Sequence, residues 1–136
     1  MIEGFWTAIF TSGNLSGGGV VYLSGGTLVG GDSQYFYLGN YQFNPQNQSL
    51  TAQIRVVAFV SGAVSVFGIP ASLFDLRLDG KASGSSLTAR GFLIQNPALT
   101  FSVQLLKRTG SITPIPGSSD PPIGPWTPPP SHPGKQ

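Results

Sequence analysis

The feature that most limits the fold of this chain is the alternation of short apolar runs with glycine, proline and asparagine. Within residues 1–110, no window of about 12 residues shows the apolar period of an amphipathic helix, whereas several segments alternate with a period of two. The clearest segment is Leu73–Lys81, where Phe74, Leu76 and Leu78 alternate with charged residues. Such a strand has one buried face and one solvated face. The pattern therefore predicts an all-β domain.

Turn residues divide residues 1–110 into eight short strands. The expected strands are Gly4–Thr11, Gly18–Leu23, Thr27–Val29, Gln34–Tyr41, Leu50–Val60, Leu73–Lys81, Ser86–Ile94 and Leu99–Lys107. We expect Ser61–Ser72 to be a loop and the run Gly17–Gly19 to be a turn. Eight strands of this length indicate an up-and-down antiparallel barrel, which has no open sheet edge. A two-sheet sandwich is the alternative.

The chain changes composition after Gly110. All but three of the twelve prolines lie in residues 111–136, so we expect a barrel domain over residues 1–110 and a disordered or polyproline II tail over residues 111–136. Pro122–Pro125 has the PxxP spacing that docks in aromatic grooves, although a solvated tail is the simpler interpretation. The segment after Met1 has no basic region and no long apolar run, so we expect a cytoplasmic protein without a secretory signal.

The chain carries few groups that perform chemistry. It has no Cys, one His (His132, in the tail), seven basic residues, five acidic residues and a net charge of +2. A serine hydrolase needs a base beside its nucleophile. Asp75 and Asp79 share a strand face but lie about 13 Å apart, beyond the range of a glycosidase pair. The basic residues are dispersed and no acidic or His cluster has metal-ligand spacing. We expect a non-enzymatic binding protein with no metal, cofactor, direct nucleic-acid contact or membrane span.

The inner faces of the strands combine small and aliphatic residues. An eight-stranded barrel is just wide enough to be filled by side chains or to hold one small ligand. We expect a filled core, in which the small residues leave room for larger neighbours. The alternative is an apolar cavity that carries a lipid or fatty acid. The residues predicted to line such a cavity are Ala52, Ile54, Val56, Ala58, Phe74, Leu76, Ala89, Gly91, Phe101 and Val103.

Trp6 lies at the start of the first strand, and Arg108 follows the last strand. These strands are neighbours in a closed barrel. We expect Trp6 to close one end of the barrel, with Arg108 or Lys107 against its ring in a cation–π contact. An ordinary core tryptophan is the alternative. The run Gly4–Trp6 resembles the Gly-x-Trp start of the lipocalin superfamily.

Tyr35, Tyr37 and Tyr41 share one face of the fourth strand, and Phe36 and Leu38 share the other. If the Phe and Leu side chains point inward, the tyrosines form an outer patch, because Tyr combines an apolar ring with a polar hydroxyl. We expect this patch to contact a second subunit or a protein partner. The alternatives are tyrosines that line a cavity, and a stacking platform for single-stranded nucleic acid.

A series of motifs follows in order along residues 1–108: Glu3–Phe10, Gly19–Val21, Gly30–Tyr35 continuing to Gly39–Tyr41, and Ser65–Gly68. Together these motifs resemble the GrlR-type negative regulators of type III secretion. The resemblance implies a bacterial protein with a lipocalin-like eight-stranded barrel that forms a homodimer. It also implies a regulatory function, in which the protein sequesters a transcriptional activator by protein–protein contact.

One element of that family's pattern is absent. Its best-known member uses an acidic Glu-Asp-Glu-Asp loop, whereas the corresponding turn here, Phe43–Gln48, contains no acidic residue. A basic surface on an activator would find no complementary charge at this turn. The acidic docking loop is therefore not carried over to this chain, and the identity of the partner stays open.

Overall fold

Eight antiparallel strands follow one another around a closed barrel in the computed structural model, which describes residues 2–110. The strands are β1 (Gly4–Ser12), β2 (Leu15–Ser24), β3 (Thr27–Gly31), β4 (Tyr35–Asn44), β5 (Ser49–Ala58), β6 (Leu73–Ser83), β7 (Ser86–Leu93) and β8 (Asn96–Thr109). The predicted all-β, up-and-down barrel is confirmed. The predicted tail of residues 111–136 lies outside the described residues.

The first and last strands close the barrel. Ala8 on β1 lies opposite Leu105 on β8, and Phe10 lies opposite Val103, with one irregularity in the register between Phe5 and Trp6. All eight strands therefore have two hydrogen-bonded neighbours. This closure removes the exposed edges that promote aggregation of open sheets. Residues 2–110 contain no helix that is long and apolar enough to cross a membrane.

The glycine run at residues 17–19 lies inside β2, so its prediction as a turn is wrong. Gly17 and Gly19 are needed in the strand because bulky side chains approach the backbone there. A Cβ at Gly17 would lie 2.7 Å from the ring of Phe10, and a Cβ at Gly19 would lie 2.7 Å from the hydroxyl of Tyr37. Absence of a side chain, rather than turn conformation, explains these positions.

The connections β1–β2, β3–β4, β5–β6 and β7–β8 meet at one end of the barrel, which we call the mouth. The long β5–β6 loop, residues 59–72, folds over this end and buries Ala63 and Ser65. The ring of Phe67 in this loop packs edge-to-face on Phe74 at 6.4 Å and on Phe101 at 6.0 Å between centroids. These aromatic contacts attach the loop to the barrel wall.

Candidate functional site

A cavity of about 380 Å³ lies inside the barrel and reaches the mouth. Leucines from six strands form its apolar part: Leu23, Leu28, Leu50, Leu78, Leu87 and Leu105. At the mouth it is bordered by Asp32, Gln34 and Ser65 together with apolar residues of the β5–β6 loop. The volume lies within the usual range of small-molecule sites. The expectation of a completely filled core is therefore wrong.

The structure separates the predicted cavity residues into two groups. The larger ones line the cavity: Ile54, Val56, Phe74, Leu76, Phe101 and Val103. The small ones do not border it: Ala52, Ala58, Ala89 and Gly91. Ala52 lies opposite Tyr41, and Ala58 lies opposite Tyr35. A Cβ at Gly91 would lie 2.8 Å from the ring of Phe101. Ala52, Ala58 and Gly91 lie beside aromatic residues, and the cavity is lined by the larger of the predicted residues.

Several lining residues come from strands that the sequence did not assign to the cavity. Ala8, Val21, Leu23 and Leu28 form part of its wall on β1–β3. In β2, Val21 and Leu23 alternate with Val20 and Tyr22, so both faces of the strand are apolar. Alternation therefore gave no signal for the inner face of β2.

The tyrosines of β4 point into the barrel. The exposed fraction is 4% for Tyr35, 9% for Tyr37 and 7% for Tyr41, whereas Phe36 and Leu38 are 38% and 49% exposed. The predicted outward patch of tyrosines is wrong, and with it the stacking platform for nucleic acid. Inward tyrosines were the alternative, and two of them, Tyr35 and Tyr37, border the cavity.

Hydrogen bonds inside the barrel explain why the tyrosines are buried. The Tyr35 hydroxyl donates to the carbonyl of Ala71 at 2.8 Å, and the Tyr37 hydroxyl donates to Oδ2 of Asp32. A buried phenol is tolerated when its hydroxyl has a partner. Tyr41 differs, because its hydroxyl is buried without a hydrogen-bond partner among the described residues.

Asp32 is fixed by the tight β3–β4 connection. Its Oδ1 accepts the backbone N–H groups of Gln34 and Tyr35, both at 2.8 Å, while its other oxygen accepts the Tyr37 hydroxyl. This is the local geometry that favours Asp in turns. The absent side chain at Gly19 leaves space for the Tyr37 hydroxyl beside the carboxylate. The result is a rigidly held carboxylate at the mouth of an apolar cavity.

The environment of Tyr37 favours its neutral form. Burial raises the pKa of Tyr37 far above its usual value, and the hydrogen bond to Asp32 and the charge of that carboxylate act in the same direction. Burial and the Asp32 charge also raise the pKa of Tyr35. Both phenols therefore remain protonated hydrogen-bond donors at neutral pH.

Trp6 is the most buried large side chain of the barrel, at 1% exposure, and its Nε1–H donates to the carbonyl of Ile2 at 3.0 Å. Arg108 instead donates from Nε to Oγ1 of Thr7 at 2.9 Å. Thr7 and Trp6 are adjacent in β1 and project to opposite faces, so the predicted Trp6–Arg108 contact is wrong. Lys107 lies opposite Trp6 in the strand register. Trp6 is buried in the core, and its role in closing this end of the barrel stays a prediction.

The outer surface of the barrel has an apolar side and a charged side. We call the apolar side, which extends across β2–β6, the apolar outer face; its members are Val20, Tyr22, Val29, Phe36, Leu38, Val57 and Leu73. Val20, Val29 and Leu73 are 37%, 40% and 51% exposed. At its border Arg55 pairs with Asp75 at 2.9 Å, which lowers the pKa of that carboxyl through the hydrogen bond.

Comparison with protein-family models found no matching family, and no curated protein matches the chain. Residues 2–110 contain no group of three or more His, Cys, Asp or Glu that could hold a metal ion. The candidate site is therefore defined by its own geometry. It is an apolar cavity with one fixed carboxylate and two buried phenols near its mouth.

Proposed function

We propose that this protein is a non-enzymatic binding protein that holds a small apolar ligand inside its barrel. The observation that supports this proposal is the cavity of about 380 Å³, whose wall is formed mainly by leucine, valine and phenylalanine side chains. Pockets of this kind, with many apolar groups and few polar ones, are typical of small-molecule sites.

The polar groups around the cavity favour an apolar occupant. The hydroxyls of Tyr35 and Tyr37 already have protein partners, and Oγ of Ser65 donates to the carbonyl of Ile69 at 2.9 Å. Binding an apolar molecule therefore leaves these groups hydrogen-bonded. A ligand that buries about 300 Å² of apolar surface gains about 7 kcal/mol from transfer. This transfer gain alone would give a dissociation constant of about 10 μM, and the cost of association makes the expected affinity weaker than that.

The test uses N-phenyl-1-naphthylamine, a neutral apolar fluorophore that brightens when it leaves water. We expect saturable binding of one molecule per barrel. Val56→Phe should weaken binding at least tenfold, because Val56 is 3% exposed and borders the cavity. The control is Val57→Phe, since Val57 is the next residue on the same strand and lies on the apolar outer face. A folded wild-type barrel that binds no probe would contradict the proposal.

A second function, regulation through protein contact, is supported by the apolar outer face. We propose that a second copy of this chain covers this face. The face carries no charge, so two copies can meet there without opposed like charges, and the Arg55–Asp75 pair lies at its border. A large apolar patch on a monomer exposes about 300–600 Å², whereas a stable interface needs about 800 Å² from each partner. In this proposal the apolar outer face forms the centre of the interface, and polar residues around it supply the remaining buried area.

The oligomeric state tests this proposal directly. Light scattering after size-exclusion chromatography should give the dimer mass for the wild type. Phe36→Asp should give the monomer, because it places a charge between Gly31 and Val57, within the apolar outer face. Gln42→Asp adds the same charge to an exposed position of the same strand outside this face and should remain dimeric. A wild-type monomer at micromolar concentration would refute the proposal.

The resemblance to GrlR-type regulators supports a further part of this second proposal. In this version the dimer sequesters a transcriptional activator and thereby represses its genes. The turn Phe43–Gln48 has no acidic residue, so contact with the activator would use a surface other than the family's acidic loop. Deleting the gene should raise the transcripts of a type III secretion system. Unchanged transcripts in the deletion strain would argue against this role.

A further inference from the structure

Among the described residues that line the cavity, the one charged side chain is acidic. Asp32 borders the cavity at its mouth, and its lining residues include no Lys, Arg or His. Within residues 2–110, the ion pairs are Arg55–Asp75 and Arg77–Asp79, both on the outer surface of the barrel. Asp32 therefore has hydrogen-bond donors but no cationic partner in the described part of the chain.

The hydrogen bonds of Asp32 leave part of its carboxylate unused. A carboxylate accepts about four hydrogen bonds. Two N–H groups occupy Oδ1 and one hydroxyl occupies Oδ2, so one acceptor position on Oδ2 remains. A cationic head group can donate to this position and also supply the missing positive charge. An anionic head group would place like charges together beside an apolar wall.

We propose that the cavity selects apolar molecules that carry a cationic ammonium head, with the head at Asp32 and the hydrocarbon chain among the leucines. This inference rests on the proposed ligand-binding function and names the class of ligand. Fatty acids, whose carboxylate would face Asp32, are disfavoured. The leucine-lined part of the cavity accommodates the chain, because the wall there offers only apolar side chains such as Leu28, Leu50 and Leu87.

The net charge of the chain distinguishes selection by Asp32 from non-specific adsorption. At +2 the protein as a whole attracts anions rather than cations. Non-specific adsorption of amphiphiles would therefore favour a fatty acid over an alkylamine. Preference for the amine would come from the local charge of Asp32 and not from the overall charge.

The experiment measures displacement of N-phenyl-1-naphthylamine by three molecules with the same ten-carbon chain: decylamine, 1-decanol and decanoate. At pH 7 we expect decylamine to displace the probe at a concentration at least tenfold below that of decanoate. Asp32→Asn should reduce this ratio at least fivefold and leave decanol unchanged, because Asn retains an oxygen that can accept the turn hydrogen bonds. Asp79→Asn, on the exposed outer surface, is the control and should keep the ratio.

Decanoate that displaces the probe as well as decylamine does would overturn the inference and leave the ligand-binding function intact. Failure of the probe to bind would instead refute the ligand-binding function itself. If Asp32→Asn does not fold, the ranking of the three molecules on the wild type still decides the question. An unchanged ratio in a folded Asp32→Asn barrel would assign the selectivity to another group and also overturn the inference.

Discussion

Alkaline pH should destabilise the barrel through Tyr37. The folded state raises the pKa of this phenol above its usual value of about 10, chiefly by burial and also through Asp32. The unfolded chain therefore loses the Tyr37 proton at a pH where the folded barrel keeps it. Because deprotonation then stabilises only the unfolded state, the free energy of unfolding falls as pH rises above 10. Below pH 10 this contribution to stability is fully present.

The size of the effect follows from proton linkage. Each phenol that stays protonated in the folded state costs about 1.4 kcal/mol of stability per pH unit well above pH 10. Integrated from pH 9 to pH 11, Tyr37 alone should lower the free energy of unfolding by about 1.4 kcal/mol. Burial also raises the pKa of Tyr35 and Tyr41. These two phenols therefore add to the loss of stability in the same direction.

Urea denaturation followed by circular dichroism at pH 8, 9, 10 and 11 measures this dependence. Tyr37→Phe should be less stable at pH 8, because it removes the hydrogen bond to Asp32. Between pH 9 and pH 11, however, it should lose about 1.4 kcal/mol less than the wild type. Comparing the changes with pH, rather than the absolute stabilities, separates the ionisation from the lost hydrogen bond. Equal pH dependence in the two proteins would refute this reasoning.

Three further predictions, the first with a control substitution, test other parts of the structure. Gly91→Ala should lower the free energy of unfolding in urea by about 1–3 kcal/mol, because the added Cβ would lie 2.0 Å from a carbonyl oxygen of β6. Gly18→Ala is the control: the nearest atom to its Cβ is 3.6 Å away, so the substitution should be neutral or slightly stabilising. Phe67→Ala should lower the free energy of unfolding by about 2 kcal/mol, because it removes the ring contacts with Phe74 and Phe101. It should also speed release of the fluorescent probe in stopped-flow measurements. Unchanged release would show that the β5–β6 loop does not limit the exit of the probe. Trp6→Phe leaves the Ile2 carbonyl without its donor and should cost about 1–3 kcal/mol in thermal unfolding, and an unchanged midpoint would contradict this role.

The sequence predicted the strands because their pattern is local. In β6, charged residues alternate with apolar ones, so the period of two was unambiguous. The observed strand ends differ from the predicted ones by up to three residues, as at Leu15, where β2 begins before the glycine run that the sequence predicts as a turn. Glycine marks both turns and close ring contacts, and only the neighbouring strands distinguish these two uses.

The site was harder to predict because it depends on contacts between distant residues. In β4 both faces are aromatic or aliphatic, and hydropathy alone places Phe36 and Leu38 inside rather than Tyr37. The structure reverses this choice, since the Tyr37 hydroxyl meets Asp32 and the Tyr35 hydroxyl meets the Ala71 carbonyl. The cavity likewise reflects the summed side-chain volumes of strands on opposite sides of the barrel, which no single segment reveals.

The strand β4 forms the wall between the cavity and the apolar outer face. Tyr37 faces the interior, and its immediate neighbours Phe36 and Leu38 face the exterior. The partition is therefore a single layer of polypeptide, and a guest and a second subunit would touch consecutive residues of one backbone. If a bound ligand shifts Tyr37, the peptide groups that move with it are the same ones that orient Phe36 and Leu38. Ligand binding and the exchange of subunits between dimers should therefore be measured together on this barrel.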